Sequence, residues 1–427
     1  MSNLSRRDIL KSGIAATVTA SLIGTDAAAA PAGKTMADVP FERRDKVRIG
    51  IVGVGERGVS MIHDFLGIDH LEITALCDNV KANAERGKAM IEKAGRPSPA
   101  MYTDGDRAFE SLCKRDDIDL VYSPTPWEWH FPVAMAAMEN GKHVALEVPM
   151  ATTMKDLWKL VDTSERTRKH CIMLENCCYD FNELLVLNMV SDGLFGEITH
   201  GEAAYIHDLR AIMNEERCEG LWRRAWHTRL NGNLYPTHGL GPVSNYMNVN
   251  RGDRLDHMVS MSSPSRSLAL YREQTVPKGS PKWQEKYVNG DMNTSMIKTA
   301  KGLTIMLQHD TSTPRPYDRI NLIQGTKGIF RGYPARIMIE GQPEKHRFTN
   351  LDKYTEKYTH WLWKKLGEAA RNAGHGGMDY IMAWRLVQCF REGLPYDMDV
   401  YDGAAWSAPF PLSAESIAKN SSSVKIP

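Results

Sequence analysis

The stretch Val47-Arg48-Ile49-Gly50-Ile51-Val52-Gly53-Val54-Gly55-Glu56-Arg57-Gly58 decides the fold. A mostly apolar, β-branched run ends in Gly-x-Gly-x-x-Gly, and Val59 to Leu66 continues as helix-compatible sequence. The order is strand, tight turn, helix. Gly53 would allow the turn, Gly55 the close approach of backbone to a diphosphate, and Gly58 close packing of helix on strand. Free N–H groups at the helix start, with the helix dipole, favour that anion. A second apolar run, Leu71 to Cys77, ends in Asp78, twenty residues past Gly58. A carboxylate there accepts hydrogen bonds from an adenosine ribose and repels a 2′-phosphate. The two signals together predict an NAD(H) site in preference to NADP(H). The alternative is a glycine-rich turn that binds nothing.

Outward from this stretch, residues 46–178 alternate strand and helix. Strands are predicted at 47–52, 71–77, 118–122, 143–148 and 171–175. Helices are predicted at 57–66, 80–94, 106–114, 130–140 and 153–168. This rhythm predicts a doubly wound parallel sheet of the Rossmann kind. Its ligands lie beyond the carboxyl ends of the strands. The residues of interest are therefore Gly53–Gly58, Asp78, Ser123–His130, Glu147–Pro149 and Asn176–Tyr179. From residue 179 to 427 the pattern changes. Strand-like runs at 197–206, 257–263, 292–299, 303–309, 319–324 and 328–331 follow one another with few helices until 357–371 and 378–392. They predict an α+β domain with an open, largely antiparallel sheet. Residues 207–256 and 264–291 read as long loops, a length that is usually functional.

The chain has 427 residues, enough for two domains, and a formal net charge of +1. That balance gives no signal for a nucleic-acid partner. Past residue 40 no run reaches eighteen consecutive apolar residues, so no membrane span is predicted. Residues 1–30 differ from the rest. Ser5-Arg6-Arg7-Asp8-Ile9-Leu10-Lys11, a weakly apolar run from Gly13 to Gly24, and Ala27 to Ala30 resemble a twin-arginine export signal with its cleavage site. The expectation is export by the twin-arginine machinery to the periplasm or beyond, with 31–45 as a polar lead-in. The seven cysteines show no Cys-x-x-Cys and no zinc-site spacing. They read as buried thiols, with no metal ligand set.

Ser123-Pro124-Thr125-Pro126-Trp127-Glu128-Trp129-His130 and Glu147-Val148-Pro149 both follow strands at the predicted ligand edge. With the glycine motif and Asp78, they resemble the Gfo/Idh/MocA oxidoreductase family over nearly all of residues 46–420. Sugar dehydrogenases of that family typically carry Glu-Lys-Pro, with the lysine at work in hydride chemistry; Val148 stands at that position here. A narrower resemblance rests on Trp127-Glu128-Trp129-His130, Met173-Leu174-Glu175-Asn176, Tyr235-Pro236-Thr237-His238-Gly239-Leu240-Gly241-Pro242 and Gly374-His375-Gly376-Gly377-Met378-Asp379. These segments resemble glycoside hydrolase family 109, NAD-dependent α-N-acetylgalactosaminidases on the same scaffold.

The resemblance implies that Glu56, Arg57, Asp78, Trp127, Glu128, Trp129, His130, Glu147, Val148 and Asn176 contact NAD. It implies that Tyr205, Arg224, Tyr235, Pro236, Thr237, His238 and Tyr317 bind a terminal α-N-acetylgalactosamine. It also implies a redox route in place of paired carboxylates. Hydride leaves C3, the C2 proton becomes acidic, the C1–oxygen bond breaks by elimination, water adds and the hydride returns. No metal is implied.

The residues themselves suit this task. His238 can move protons near neutral pH. Tyr235 can hydrogen-bond a hydroxyl, or act as a base if its pKa is depressed. Both lie in a polar Gly/Asn/Pro-rich stretch read as loop. Tyr317 follows the stiff Pro314-Arg315-Pro316. Arg224 could donate to a sugar, although Arg223 and Arg229 beside it equally suggest a basic surface. Tyr179 is a weaker catalytic candidate. His375, in a glycine turn before a helix, reads as structural first and cofactor support second. Two other readings remain: a periplasmic NAD(P)-dependent sugar oxidoreductase of the same fold, and a non-catalytic sugar or NAD binder. By analogy with relatives, the open sheet could form a homo-oligomer face.

Overall fold

The computed structural model describes residues 35–427. The export signal read at residues 1–30 lies outside the described residues, as does the start of the lead-in.

The first domain runs β1 (Val47–Val52), α1 (Glu56–Leu66), β2 (Leu71–Cys77), α2 (Lys81–Lys93), β3 (Ala100–Tyr102), α3 (Phe109–Cys113), β4 (Leu120–Ser123), α4 (Trp127–Glu139), β5 (His143–Leu146), α5 (Met154–Thr167) and β6 (Cys171–Met173). Its six strands are all parallel in the order β3-β2-β1-β4-β5-β6. The order reverses between β1 and β4, which is where such sheets bind ligands. Apolar runs such as β1 and β4 are buried almost throughout because helices cover both faces. The short β3 was not expected from sequence. Helix α4 starts at Trp127 rather than 130, since Pro126 lacks the N–H a helix interior needs and serves as its cap. Trp127 to His130 are therefore the first turn of a helix, and the loop is only Pro124–Pro126.

The second domain contains α6 (Phe181–Ser191), β7 (Ile198–Ile206), α7 (Arg210–Asn214), α8 (Arg223–His227), α9 (Thr237–Tyr246), β8 (Leu255–Ser262), α10 (Ser267–Thr275), β9 (Asn293–Thr299), β10 (Thr304–Asp310), β11 (Leu322–Gly325), β12 (Gly328–Arg331) and β13 (Arg336–Ile339). It continues with α11 (Asp352–Tyr358), α12 (Trp361–Leu366), α13 (Met378–Glu392), α14 (Val400–Ser407), α15 (Pro409–Ala418) and β14 (Val424–Lys425). The eight-stranded sheet has the order β13-β12-β11-β7-β10-β9-β8-β14 and is antiparallel except at β7–β10. The stretches read as loops at 207–256 and 264–291 in fact hold helices α7 to α10. Glycines and prolines within α9 obscure its period in the sequence; there they let it pack tightly. A Cβ on Gly239 would stand 2.4 Å from the Ala204 nitrogen, so only glycine lets α9 lie on β7. The C-terminal helices return to the first domain: α13 packs on α1, and α14 on α5 and β6. One continuous apolar core spans both sheets. All seven cysteines are free thiols; six are buried and Cys218 is partly exposed.

Candidate active site between the two sheets

The first turn of α1 has the geometry of a dinucleotide cradle. Gly53 has φ of +99°, and a Cβ on Gly58 would stand 2.2 Å from the Gly53 carbonyl oxygen. A Cβ on Gly55, the residue capping α1, would meet nothing within 4 Å, so space for a diphosphate is open there. A cavity at the ends of β1 and β2 is lined by Gly53, Asp78, Asn79, Thr125 and Trp129, as an adenosine half requires. Asp78 also holds the cradle's backbone: Oδ2 accepts from the Val54 N–H at 2.7 Å and Oδ1 from the Val80 N–H at 2.8 Å. A carboxylate has lone pairs left for a ribose. His130 is fully buried, with Nδ1 2.7 Å from the Pro149 carbonyl and Nε2 2.9 Å from the Thr125 carbonyl; burial lowers its pKa, and the neutral ring donates to one of the two. Glu56 pairs with Arg217, and Glu128 is exposed. Neither lines the two cavities described here.

A charge network centred on the buried Asp379 joins the cradle to the second domain. Arg57 Nε donates to Glu147 Oε1 at 2.8 Å and its Nη1 to Asp379 Oδ2. The Tyr122 hydroxyl donates to Glu147 at 2.6 Å, and Asn176 Nδ2 donates to Asp379 Oδ1 at 2.7 Å. The His375 Nδ1 lies 2.7 Å from Asp379 Oδ2. Burial pushes the Asp379 pKa up, but Arg57 and His375 outweigh it and hold the carboxyl well below the usual range. The sequence placed Arg57 and Glu147 at the site; Asp379 lay within a quoted motif, but nothing there pairs it with Arg57, 322 residues away.

The second cavity, between the sheets, is lined by Arg57, Trp127, His130, Glu147, Val148 and Asn176 from the first domain. From the second domain come Tyr205, His207, Glu219, Arg223, Tyr235, His238 and His375. Tyr205 and His207 arrive on the end of β7, and His238 on the first turn of α9. The His238 Nδ1 lies 2.7 Å from Glu175 Oε1. A buried carboxylate there fixes the proton on Nδ1 and leaves Nε2 as the ring nitrogen able to take one. Burial raises the Glu175 pKa, yet His238 outweighs it and the net shift is downward. The Tyr205, Tyr235 and His238 rings form one cluster, with centroids 4.5 to 5.4 Å apart. Burial pushes the Tyr235 hydroxyl well above its ordinary pKa and raises Tyr205 as well. Tyr235 is therefore a neutral donor, and the depressed-pKa base considered from sequence is not what this environment favours. The Tyr205 hydroxyl meets His207 Nδ1 at 3.0 Å. Tyr317, expected in the sugar-binding set, is not among the lining residues; its ring lies 5.0 Å from that of His207 and its hydroxyl accepts from Arg319 at 3.0 Å.

Four other expected site residues stand outside the cavity lining: Arg224, Tyr179, Pro236 and Thr237. Arg224 faces away from the cavity: it pairs with Glu285 at 2.8 Å and donates to the Met213 and Gly220 carbonyls. Its neighbour Arg223 lines the cavity instead, packed within 5.0 to 5.2 Å of the Trp127, Tyr235 and Trp222 rings and held by Glu219 at 2.7 Å. Tyr179 is buried and donates to Asp397 at 2.9 Å, outside the cavity lining; burial raises its pKa well above normal. Pro236 caps α9 and Thr237 is fully buried, so both position His238 rather than line the cavity.

Sequence reasoning passed over Glu175, His207, Glu219 and Arg223. Glu175 lay within a quoted motif, and His207 two residues past Tyr205 on a strand that keeps both near one end. The structure also brings Glu175, Cys177 and His238 ligand atoms within 4.8 Å of one another, a metal-like grouping invisible in the spacing. Burial raises the Cys177 thiol well above its normal pKa, which opposes the thiolate a metal takes.

Residues 47–175 match the family model described as "Oxidoreductase family, NAD-binding Rossmann fold", of the Gfo/Idh/MocA group. Solved structures agree on the fold. Levoglucosan dehydrogenase with NADH superposes with a TM-score of 0.69 at 18% identity, covering 90% of this chain and 99% of that one. A scyllo-inositol dehydrogenase from Lactobacillus casei, with NAD(H) and scyllo-inositol, gives 0.63 at 14% identity, covering 89% and 99%. The molecule is thus an NAD-binding protein of the Gfo/Idh/MocA fold.

Residues 179–427 match the glycosyl hydrolase 109 C-terminal domain. A glycosyl hydrolase family 109 protein from Solibacter usitatus is 55% identical, over 100% of this chain and 97% of that protein. One from Shewanella sp. (strain ANA-3) is 51% identical, over 100% and 96%. The chain belongs to glycosyl hydrolase family 109.

Proposed function

We propose that the protein removes terminal α-linked N-acetylgalactosamine by NAD-dependent oxidation, elimination, water addition and reduction. One observation carries the reading: the cofactor-edge residues Glu147, Val148 and Asn176 share one cavity with the cluster of His238, Tyr235, Tyr205 and Arg223. When bound, NAD⁺ accepts hydride from sugar C3 and later returns it, and the C3 carbonyl makes the C2 proton acidic meanwhile. The chain's own residues handle position and protons. His238, oriented by Glu175, takes the C2 proton at Nε2 as the C1–oxygen bond breaks, and gives a proton back to C2 after water has added to C1. Tyr235, kept neutral by burial, hydrogen-bonds the C3 oxygen, whose proton passes to water in the cavity as hydride leaves C3 and returns from water as hydride comes back; the departing C1 oxygen takes its proton from water as well. Arg223 provides a fixed cation for the acetamide carbonyl. Of the carboxylates lining the cavity, Glu147 is held by Arg57 and Glu219 by Arg223, an arrangement suited to fixing cations rather than to paired-carboxylate hydrolysis. Val148 is buried where sugar dehydrogenases of this fold typically place lysine.

The test is purified protein without added cofactor, offered p-nitrophenyl α- and β-N-acetylgalactosaminides, α-galactoside and α-N-acetylglucosaminide. Preferential release from the first supports the reading. NADH accumulating on a free sugar, with no nitrophenol from any glycoside, would replace it with a sugar oxidoreductase. The same reading includes twin-arginine export, motivated by Arg6 and Arg7. A reporter fused to residues 1–30 should reach the periplasm and stop doing so when both arginines become lysine; export that continues would refute this part.

A further inference from the structure

The cavity between the sheets has a closed floor and a differentiated mouth. On the floor, Val148, His130, Asn176, Tyr205, Tyr235 and Arg223 are each less than a tenth exposed. A terminal sugar held there has to project its C1 substituent toward the mouth. From the first domain the mouth takes Arg57, Pro124 and Thr125, beside the diphosphate cradle. From the second domain it takes Leu209, Ile212 and Trp222, all on the segment 207–223 that joins β7 to α8. The rest of the second-domain lining is tyrosine, histidine, Glu219 and Arg223. Leu209 is buried, and Trp222 stands edge-on to Trp127 at 5.0 Å. Ile212 is 36% exposed, whereas its neighbour Met213 is fully buried and anchors α7. A lone exposed isoleucine is ordinary on a surface. One that continues a buried apolar wall inside a cavity leaves hydrocarbon for a ligand to cover.

We propose that Leu209, Ile212 and Trp222 form an aglycone subsite, which selects glycosides whose leaving group presents apolar surface, alkyl or aryl, next to the scissile oxygen. The polar groups beside this wall are engaged within the protein: Glu219 holds Arg223 at 2.7 Å, and His207 Nδ1 meets the Tyr205 hydroxyl at 3.0 Å. Burial of hydrocarbon is therefore what separates one leaving group from another here. The wall is also fixed in advance. Arg210 pairs with Asp208 and stacks over the Tyr271 ring at 4.7 Å, and Arg217 pairs with Glu56 on α1. A segment tied at these points loses little freedom when a ligand covers it. This inference rests on the reading of glycoside cleavage, because it names the leaving-group side of the same cavity.

The experiment compares methyl and butyl α-N-acetylgalactosaminides on the purified holoenzyme, following released sugar by chromatography. Methanol and butanol are nearly equal in acidity, so a difference in kcat/KM reports contacts rather than ease of bond cleavage. Covering part of the added chain should favour the butyl glycoside about tenfold. Ile212→Ser, checked by thermal melts, should shrink that ratio to about threefold. The wild-type pair decides the matter if the variant folds poorly. Both glycosides cleaved with kcat/KM within twofold of each other would overturn the subsite and leave glycoside cleavage standing. An unchanged ratio in folded Ile212→Ser would overturn it too. If neither is cleaved, calorimetry of binding separates the two claims. Tighter binding of the butyl glycoside would then keep the subsite and overturn the reaction, and equal or absent binding would overturn both.

Discussion

The site holds the same pair twice, a histidine Nδ1 at 2.7 Å from a buried carboxylate, and the two pairs differ in how the carboxylate is satisfied. Asp379 is saturated: Asn176 and Arg57 on Oδ1, Arg57 and His375 on Oδ2. Glu175 accepts His238 and the Cys177 N–H on Oε1, and besides these the neutral Thr237 hydroxyl acts on it; no guanidinium among the described residues does. A saturated carboxylate with a permanent guanidinium beside it fixes geometry. A carboxylate free of any permanent cation, with histidine as its one basic hydrogen-bond partner, can follow a proton as it arrives and leaves. Two histidine–carboxylate pairs thus suit different work: one sits in a full ion network, and the other, in the proposed reaction, faces the sugar.

The largest break in this comparison is His238→Ala, expected to lower kcat about a thousandfold while NAD stays bound, as loss of a general base does. Turnover assays with nucleotide quantified on the same sample check it. Next is Asp379→Ala, which leaves the part-buried Arg57 with Glu147 as its one carboxylate partner. It should cost about 2 kcal/mol of stability in denaturant melts, whereas the same change at Glu175 takes no partner from a guanidinium. Glu175→Gln should lower kcat by about thirtyfold, because an amide no longer enforces the Nδ1 proton; the fold should survive, by circular dichroism.

Acid sharpens the contrast. Asp379 and Glu175 both have folded-state pKa values below their ordinary ones. Depressed carboxyls give stability that is present above the unfolded value, about 4, and lost as pH falls below it. Melting temperature should drop from about pH 4 downward, and Asp379→Asn should flatten that limb. The smallest effect is Tyr235→Phe, which removes one neutral hydrogen bond to the sugar and should lower kcat/KM by about fivefold.

The cofactor half of the site was legible because a parallel sheet turns sequence order into spatial order. The cavity residues of this half follow strands, so Gly53, Asp78, Trp127, Trp129 and Glu147 could be read off one after another, whereas Glu56 and Glu128 in the same runs line neither cavity. The sugar half has no such rule. Arg223 and Arg224 are adjacent, and only the packing of α8 turns one onto Trp127 and the other onto Glu285. Helix α9 was hidden because its glycines and prolines, which permit contact with β7, are also loop residues by composition. Asp379 and Glu175 act through partners far away in the chain, and pairing at that range leaves no trace in local pattern.

The central claim is that the sugar is oxidised and its C2 proton removed before the glycosidic bond breaks. The direct measurement is turnover of p-nitrophenyl α-N-acetylgalactosaminide in deuterated water, with the released sugar analysed by NMR. The account predicts deuterium at C2 in the product and no net accumulation of NADH. Nitrophenol released with C2 still fully protonated would contradict it and point to direct displacement at C1.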